Sequence, residues 1–194
     1  AHPVAQALIL SAGVPIAAPS ANASGEPSPT RAAHVAESLG EALTILDAGP
    51  CNAGLESTVI GFDGRQAVLL RPGATAREDI ETITGPLAVA SDDESRPSSP
   101  GRLLRHYAPA AKLRLNAEAP RSGELYIAFG PTDVDDALQL SEAGSTREAA
   151  ANLFALLREA DKRGAKAVAV APIPASGLGE AINDRLARAA AAQD

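Results

Sequence analysis

The chain contains no Met and no Trp, and only two Tyr and three Phe. Its core must therefore be packed by Ala, Leu, Val and Ile. One cysteine, Cys51, is present, which excludes a disulfide framework and any Cys-based zinc site. Beside a Gly turn, Cys51 reads as a small gap-filling residue. No run approaches the ~18 apolar residues of a membrane span. Positive charge is scarce: 17 Lys and Arg face 24 Asp and Glu, a net charge of −7. That argues against a broad basic surface for nucleic acid, although a local patch stays open. No Lys or Arg precedes Arg31, so the basic start of a signal peptide is missing. A reducing, cytoplasmic setting is the expectation. The absence of an initiating Met predicts a piece of a longer protein.

What is present suits a folded chain. Of 194 residues 45% are hydrophobic, enough for one large or two small packed domains. Residues 3–13 predict a short helix ending at Gly13, and residues 14–18 a buried strand. A helix should run from a Thr30 cap to Leu39, followed by a strand at Leu43–Asp47. Ser57–Phe62 and Ala67–Arg71 read as paired strands turned at Asp63-Gly64. Residues 77–84 predict a helix. Residues 91–102 carry no apolar periodicity and read as linker. Beyond Lys112 the pattern becomes strands at 112–115, 124–129 and 167–171, with helices at 146–163 and 178–192. Leu153, Phe154, Leu156, Leu157, Ile182 and Leu186 point inward. Such alternation implies a small α/β domain.

The chemistry concentrates in residues 19–30. Three Pro, one Gly, Asn22 and the hydroxyls Ser20, Ser24, Ser28 and Thr30 share these twelve positions. Pro removes backbone donors, so this is neither a core helix nor a central strand. Local chemistry alone is met by a turn leading to a helix cap. The functional reading is a rigid polar loop whose neutral donors and acceptors suit phosphate, ribose or an amino acid. Ser57 and Thr58 stand at a strand start, where β-propensity is the plain explanation. Arg71 ends a strand before Pro72-Gly73, either holding a phosphate or lying on the surface. His106-Tyr107 closes the linker, by stacking on a ligand or by packing onto a domain. The three His residues lack metal-ligand spacing. No Walker loop and no nucleophile elbow occurs.

In order, these segments are Pro19-Ser20-Ala21-Asn22 with Ser24-Gly25, then Ser28-Pro29-Thr30, Glu56-Ser57-Thr58-Val59, Leu70-Arg71-Pro72-Gly73, and Ser99-Pro100-Gly101 with His106-Tyr107-Ala108-Pro109. Together with the closing stretch Ala171–Leu186, they closely resemble the long form of the YrdC-like family, the L-threonylcarbamoyladenylate synthases. The resemblance spans essentially the whole chain. It implies an α/β fold in three parts: the C-terminal portion of a twisted YrdC-like domain at 1–86, a linker over the active site at 87–111, and a small Rossmann-like domain at 112–194. It also implies a nucleotidyltransferase that makes threonylcarbamoyl-AMP and pyrophosphate from L-threonine, bicarbonate and ATP. The product serves the machinery that modifies adenosine 37 of tRNA. By the resemblance, Ser20 and Ser57 contact threonine, while Asn22, Thr30, Arg71, His106 and Tyr107 contact the nucleotide. No residue acts as a covalent catalyst, and Mg²⁺ arrives with ATP. The family's Lys-x-Arg motif and first strands are missing, so this chain alone should be almost inactive. The alternative reading is a non-catalytic module of the family that binds nucleotide or double-stranded RNA.

Overall fold

A computed structural model describes residues 2–89 and 107–192. The linker from 90 to 106, including His106, lies outside the described residues.

The N-terminal part opens with α1 (Pro3–Ala12) and α2 (Ala32–Leu39). Pro3 at the first helical position and Gly13 in the left-handed conformation bound α1, as helix ends favour. The predicted cap of α2 is displaced. Arg31 is the cap residue, and the Thr30 N–H donates to His34 Nδ1 at 3.2 Å. Strands β1 (Val59–Asp63) and β2 (Gln66–Arg71) pair antiparallel, and β3 (Ala88–Val89) adds parallel to β2. Their turn is Gly64-Arg65, one residue later than expected, with Gly64 at φ 59. Between β2 and β3 runs α3 (Arg77–Thr84).

Two predicted strands do not form. Residues 14–18 and 43–47 form no strand, and Val14, Ile16, Leu43 and Leu46 are exposed. A strand exists only against a hydrogen-bonded neighbour. No described residue supplies one here. Helix α1 likewise buries no residue, and Leu10 is 80% exposed. Cys51 is also exposed, so it fills no gap.

The C-terminal part is a parallel sheet in the order β4-β7-β5-β6, formed by Lys112–Arg114, Ala167–Val170, Leu125–Phe129 and Leu138–Ser141. Strand β6 had no sequence signal. Helices α4 (Thr146–Lys162) and α5 (Gly179–Ala191) carry apolar stripes. They pack with Ile127, Leu140, Val168 and Val170 into the main core. A smaller cluster of Tyr126, Ala128, Ala169 and Ala171 forms apart from it, as alternation along strands requires. The main core also takes in Leu55 from the N-terminal part and Tyr107 from the end of the linker.

One ion pair fixes the entry to β5. Arg114 Nε donates to Glu124 Oε1 at 2.8 Å, and the Arg121 N–H donates to Oε2 at 2.7 Å. These bonds to the charged form, led by the one from Arg114, hold the Glu124 carboxyl at about 2. We expect carboxyl-detected NMR to find Glu124 still ionised at a pH where most other carboxylates are half protonated. A midpoint near the ordinary glutamate value would refute the pairing.

Candidate functional site

The polar loop is held in shape by its own side chains. Asn22 Nδ2 donates to the carbonyls of Ala23 at 2.8 Å and Glu26 at 3.2 Å. Its Oδ1 is buried without a hydrogen-bond partner. Between Ser20 and Asn22, Ala21 adopts φ 56, a left-handed conformation costing an L-residue about 1–2 kcal/mol. Strain of this kind persists where the surroundings enforce it, and clusters at ligand sites. Ser38 Oγ donates to Glu26 Oε2 at 2.6 Å and accepts from the Ala23 N–H at 2.8 Å.

The next segment meets the loop through Glu56. Ser28 is buried, and its hydroxyl donates to Glu56 Oε1 at 2.6 Å. Glu56 Oε2 accepts from Arg185 Nε at 3.0 Å. Burial pushes the Glu56 carboxyl up, but the Arg185 charge and the bonds from Ser28 and Arg185 outweigh it, and the value lies below the usual one. Arg71 reaches the same place from β2. Alternation along β2 turns Ala67, Leu69 and Arg71 to the buried face, so a guanidinium follows two apolar residues inward. Its Nη2 donates to the Ser57 carbonyl at 2.8 Å. The turn after Arg71 is tight. A Cβ on Gly73 would lie 2.4 Å from the Glu56 carbonyl oxygen and 2.5 Å from Thr58 N.

The structure thus brings Ser28, Glu56, Ser57 and Arg71 together, and ties Asn22 to the same loop. Ser20 stands exposed at the loop entrance. Thr30 is buried against α2; its N–H and hydroxyl face His34, and its carbonyl accepts from the Cys51 N–H at 2.9 Å. Burial, with Arg158 next, holds the His34 imidazole below its ordinary value, which suits a neutral ring accepting the Thr30 N–H. Tyr107 is 1% exposed with φ 65; its ring stacks on Phe154 at 5.3 Å and lies 5.2 Å beneath the Arg185 guanidinium. In this arrangement the Tyr107 ring is closed off from solvent. A cavity of about 270 Å³ lies elsewhere, at the ends of β4 and β7, and none of the candidate residues lines it.

Glu56 and Arg185 were not singled out as site residues in the sequence, and Ser28, read there as one of the loop's recognition hydroxyls, is buried on Glu56 instead. Arg185 did carry a signal. It interrupts the inward stripe Ala181, Ile182, Leu186, Ala189, and a cation on a buried stripe demands a partner.

A family model described as threonylcarbamoyl-AMP synthase, C-terminal domain, matches residues 75–191. The chain belongs to the threonylcarbamoyl-AMP synthase family. A second model, described as telomere recombination, matches residues 1–73. Among curated relatives, the threonylcarbamoyl-AMP synthase of Bacillus subtilis is 39% identical across 97% of this chain and 61% of its own length. That of Pyrococcus abyssi is 38% identical across 97% of this chain and 62% of its own. The chain therefore spans about three fifths of these relatives. A solved structure of P. abyssi Sua5 complexed with L-threonine superposes with a TM-score of 0.85 at 35% identity, covering all of this chain and 63% of that one. The α/β fold expected of the family is the fold observed.

Proposed function

We propose that the chain forms part of a nucleotidyltransferase that makes threonylcarbamoyl-AMP and pyrophosphate from L-threonine, bicarbonate and ATP, for threonylcarbamoyl modification of tRNA. The observation that carries this reading is the likeness of the whole chain to a protein solved with L-threonine. The site chemistry supports it. Carboxylation of the threonine amine gives a carbamate, whose oxygen attacks the α-phosphorus while the bond to pyrophosphate breaks. Such a step needs positioning and charge stabilisation rather than a protein nucleophile. Ser20 and Ser57 supply hydroxyls for the amino acid. The unpartnered acceptor Asn22 Oδ1 suits a donor on the nucleotide, and Thr30 and His106 belong to the same proposed nucleotide set; Tyr107, expected there too, has its ring closed off between Phe154 and Arg185. Arg71 brings positive charge beside Ser57, where phosphate charge would develop. No group of three His, Cys, Asp or Glu residues that could hold a metal occurs among the described residues. Mg²⁺, in this proposal, arrives with ATP and is held by phosphate oxygens and water. Among the described residues no helix is long and apolar enough to cross a membrane, and a cytoplasmic setting is part of the same proposal.

The test is substitution in a chain extended at its N-terminus by the Lys-x-Arg segment that the family resemblance implies. Asn22→Ala and Arg71→Ala should each weaken ATP use by about 1–3 kcal/mol, the size of a charge-assisted or orphaned polar contact. Pyrophosphate release that depends on both threonine and bicarbonate is the readout. Unchanged kinetics in both variants would overturn the site. The 194-residue chain by itself should release almost none.

A further inference from the structure

Arg185 belongs to α5, yet every group it touches outside its own helix lies elsewhere in the chain. Nε donates to Glu56 Oε2 at 3.0 Å, Nη2 donates to the Pro72 carbonyl at 3.0 Å, and the guanidinium carbon lies 5.2 Å from the Tyr107 ring centroid. Nη1 pairs with the neighbouring Asp184, which also holds Arg188. The side chain has no exposed surface. Through Glu56 the cluster reaches Ser28, and the Glu56 carbonyl accepts from the Ala74 N–H at 2.8 Å. Two further bonds pull on the same rim from outside it. Arg158 of α4 donates to the Pro27 carbonyl, and the Ala108 N–H donates to the Gly25 carbonyl at 2.9 Å. The loop at 25–28, the segment at 56–57 and the turn at 72–74 therefore share one charged anchor rooted in the C-terminal part.

We propose that Arg185 is a positioning residue: the C-terminal part sets the shape of the threonine and nucleotide rim through this buried guanidinium. Apolar packing would join two units at least as stably, because burying charges is costly. A fork of fixed donors does what apolar packing does not, which is to fix angles and distances. Two of the partners of Arg185 are one residue from a candidate contact: Glu56 precedes Ser57, and Pro72 follows Arg71. A shift of the guanidinium moves both. The ligand half of this proposal rests on the function proposed above; the ordering of the rim does not.

The test compares Arg185→Met, Arg185→Lys and Glu56→Gln in the 194-residue chain. Amide hydrogen exchange is read at 23–30, 54–58 and 72–76, and at the sheet strands 125–129 and 167–170. Threonine affinity is measured by calorimetry on the same samples. For Arg185→Met we expect exchange to rise tenfold or more at the three rim segments, while the two strands keep the rates of the unsubstituted chain. Lysine, a point charge, should restore only part of the protection, and Glu56→Gln should loosen 23–30 and 54–58 by a smaller factor. Threonine affinity should fall at least tenfold in Arg185→Met. A uniform rise over rim and strands, or no rise at the rim in Glu56→Gln, overturns the proposal. If the rim loosens selectively while Arg185→Met binds threonine as the parent chain does, positioning stands and its link to the threonine site fails. If Arg185→Met does not fold, Arg185→Lys and Glu56→Gln decide by the same selective pattern.

Discussion

Replacing Gly54 by Ala is expected to split the chain along the seam between its two parts. The Cβ would sit 2.2 Å from the Ala150 carbonyl oxygen and 2.4 Å from the Ala151 Cα, both backbone atoms of α4. Backbone does not yield as a flexible side chain does. Overpacking alone costs about 1–3 kcal/mol, and the left-handed backbone at φ 66 adds about 1–2 kcal/mol for any L-residue. Leu55, next in sequence, is buried in the C-terminal core and would be drawn out with it. Urea denaturation followed by far-UV circular dichroism should show a lower midpoint. It should also show a transition broadened or divided, as the N-terminal part loses its support before the parallel sheet melts. An unchanged midpoint would mean that the close approach of Gly54 to α4 is not maintained in solution.

The second large effect is expected at Phe154. It is fully buried on α4, and its ring stacks on Tyr107 at 5.3 Å. Phe154→Ala should cost about 3–5 kcal/mol, which for a chain of this size lowers Tm by about 6–20 °C. Because Tyr107 leans on Phe154, the double variant with Tyr107→Ala should lose clearly less than the two single losses combined. Calorimetric melting of the four proteins measures this directly. Strict additivity would show that the stacked pair contributes nothing beyond two separate burials.

How much of this was legible in the sequence depends on where each signal comes from. Helix α4 was plain, because Leu153, Phe154 and Leu157 recur at helical spacing. The hairpin was plain too, apart from one residue in its turn. The segments 14–18 and 43–47 misled, since apolar β-prone residues predict a strand but do not provide the neighbour that makes one. Strand β6 was hidden because Leu138–Ser141 is short and mixes apolar with polar residues, and the contacts that fix it come from β5 and α4. At the site, Ser57 and Arg71 were legible as members of ordered motifs. The roles of Ser28 and Glu56 were not, because their meaning comes from Arg185, some 130 residues further along the chain. Local chemistry announces a hydroxyl or a carboxylate; only the folded chain says which cation it answers to.

The insertion of Gly54 and Leu55 among the residues of α4 and the parallel sheet bears on how such proteins could be recombined. The two family regions meet near residue 74, which looks like a natural place to cut and exchange halves between relatives. A graft made there would carry Leu55 out of the interior it shares with α4 and the parallel sheet, and leave Glu56 and Arg185 to find strangers. Successful hybrids would have to transplant residues 54–57 and the buried stripe of α5 as a matched set, so these positions should change hands together or not at all.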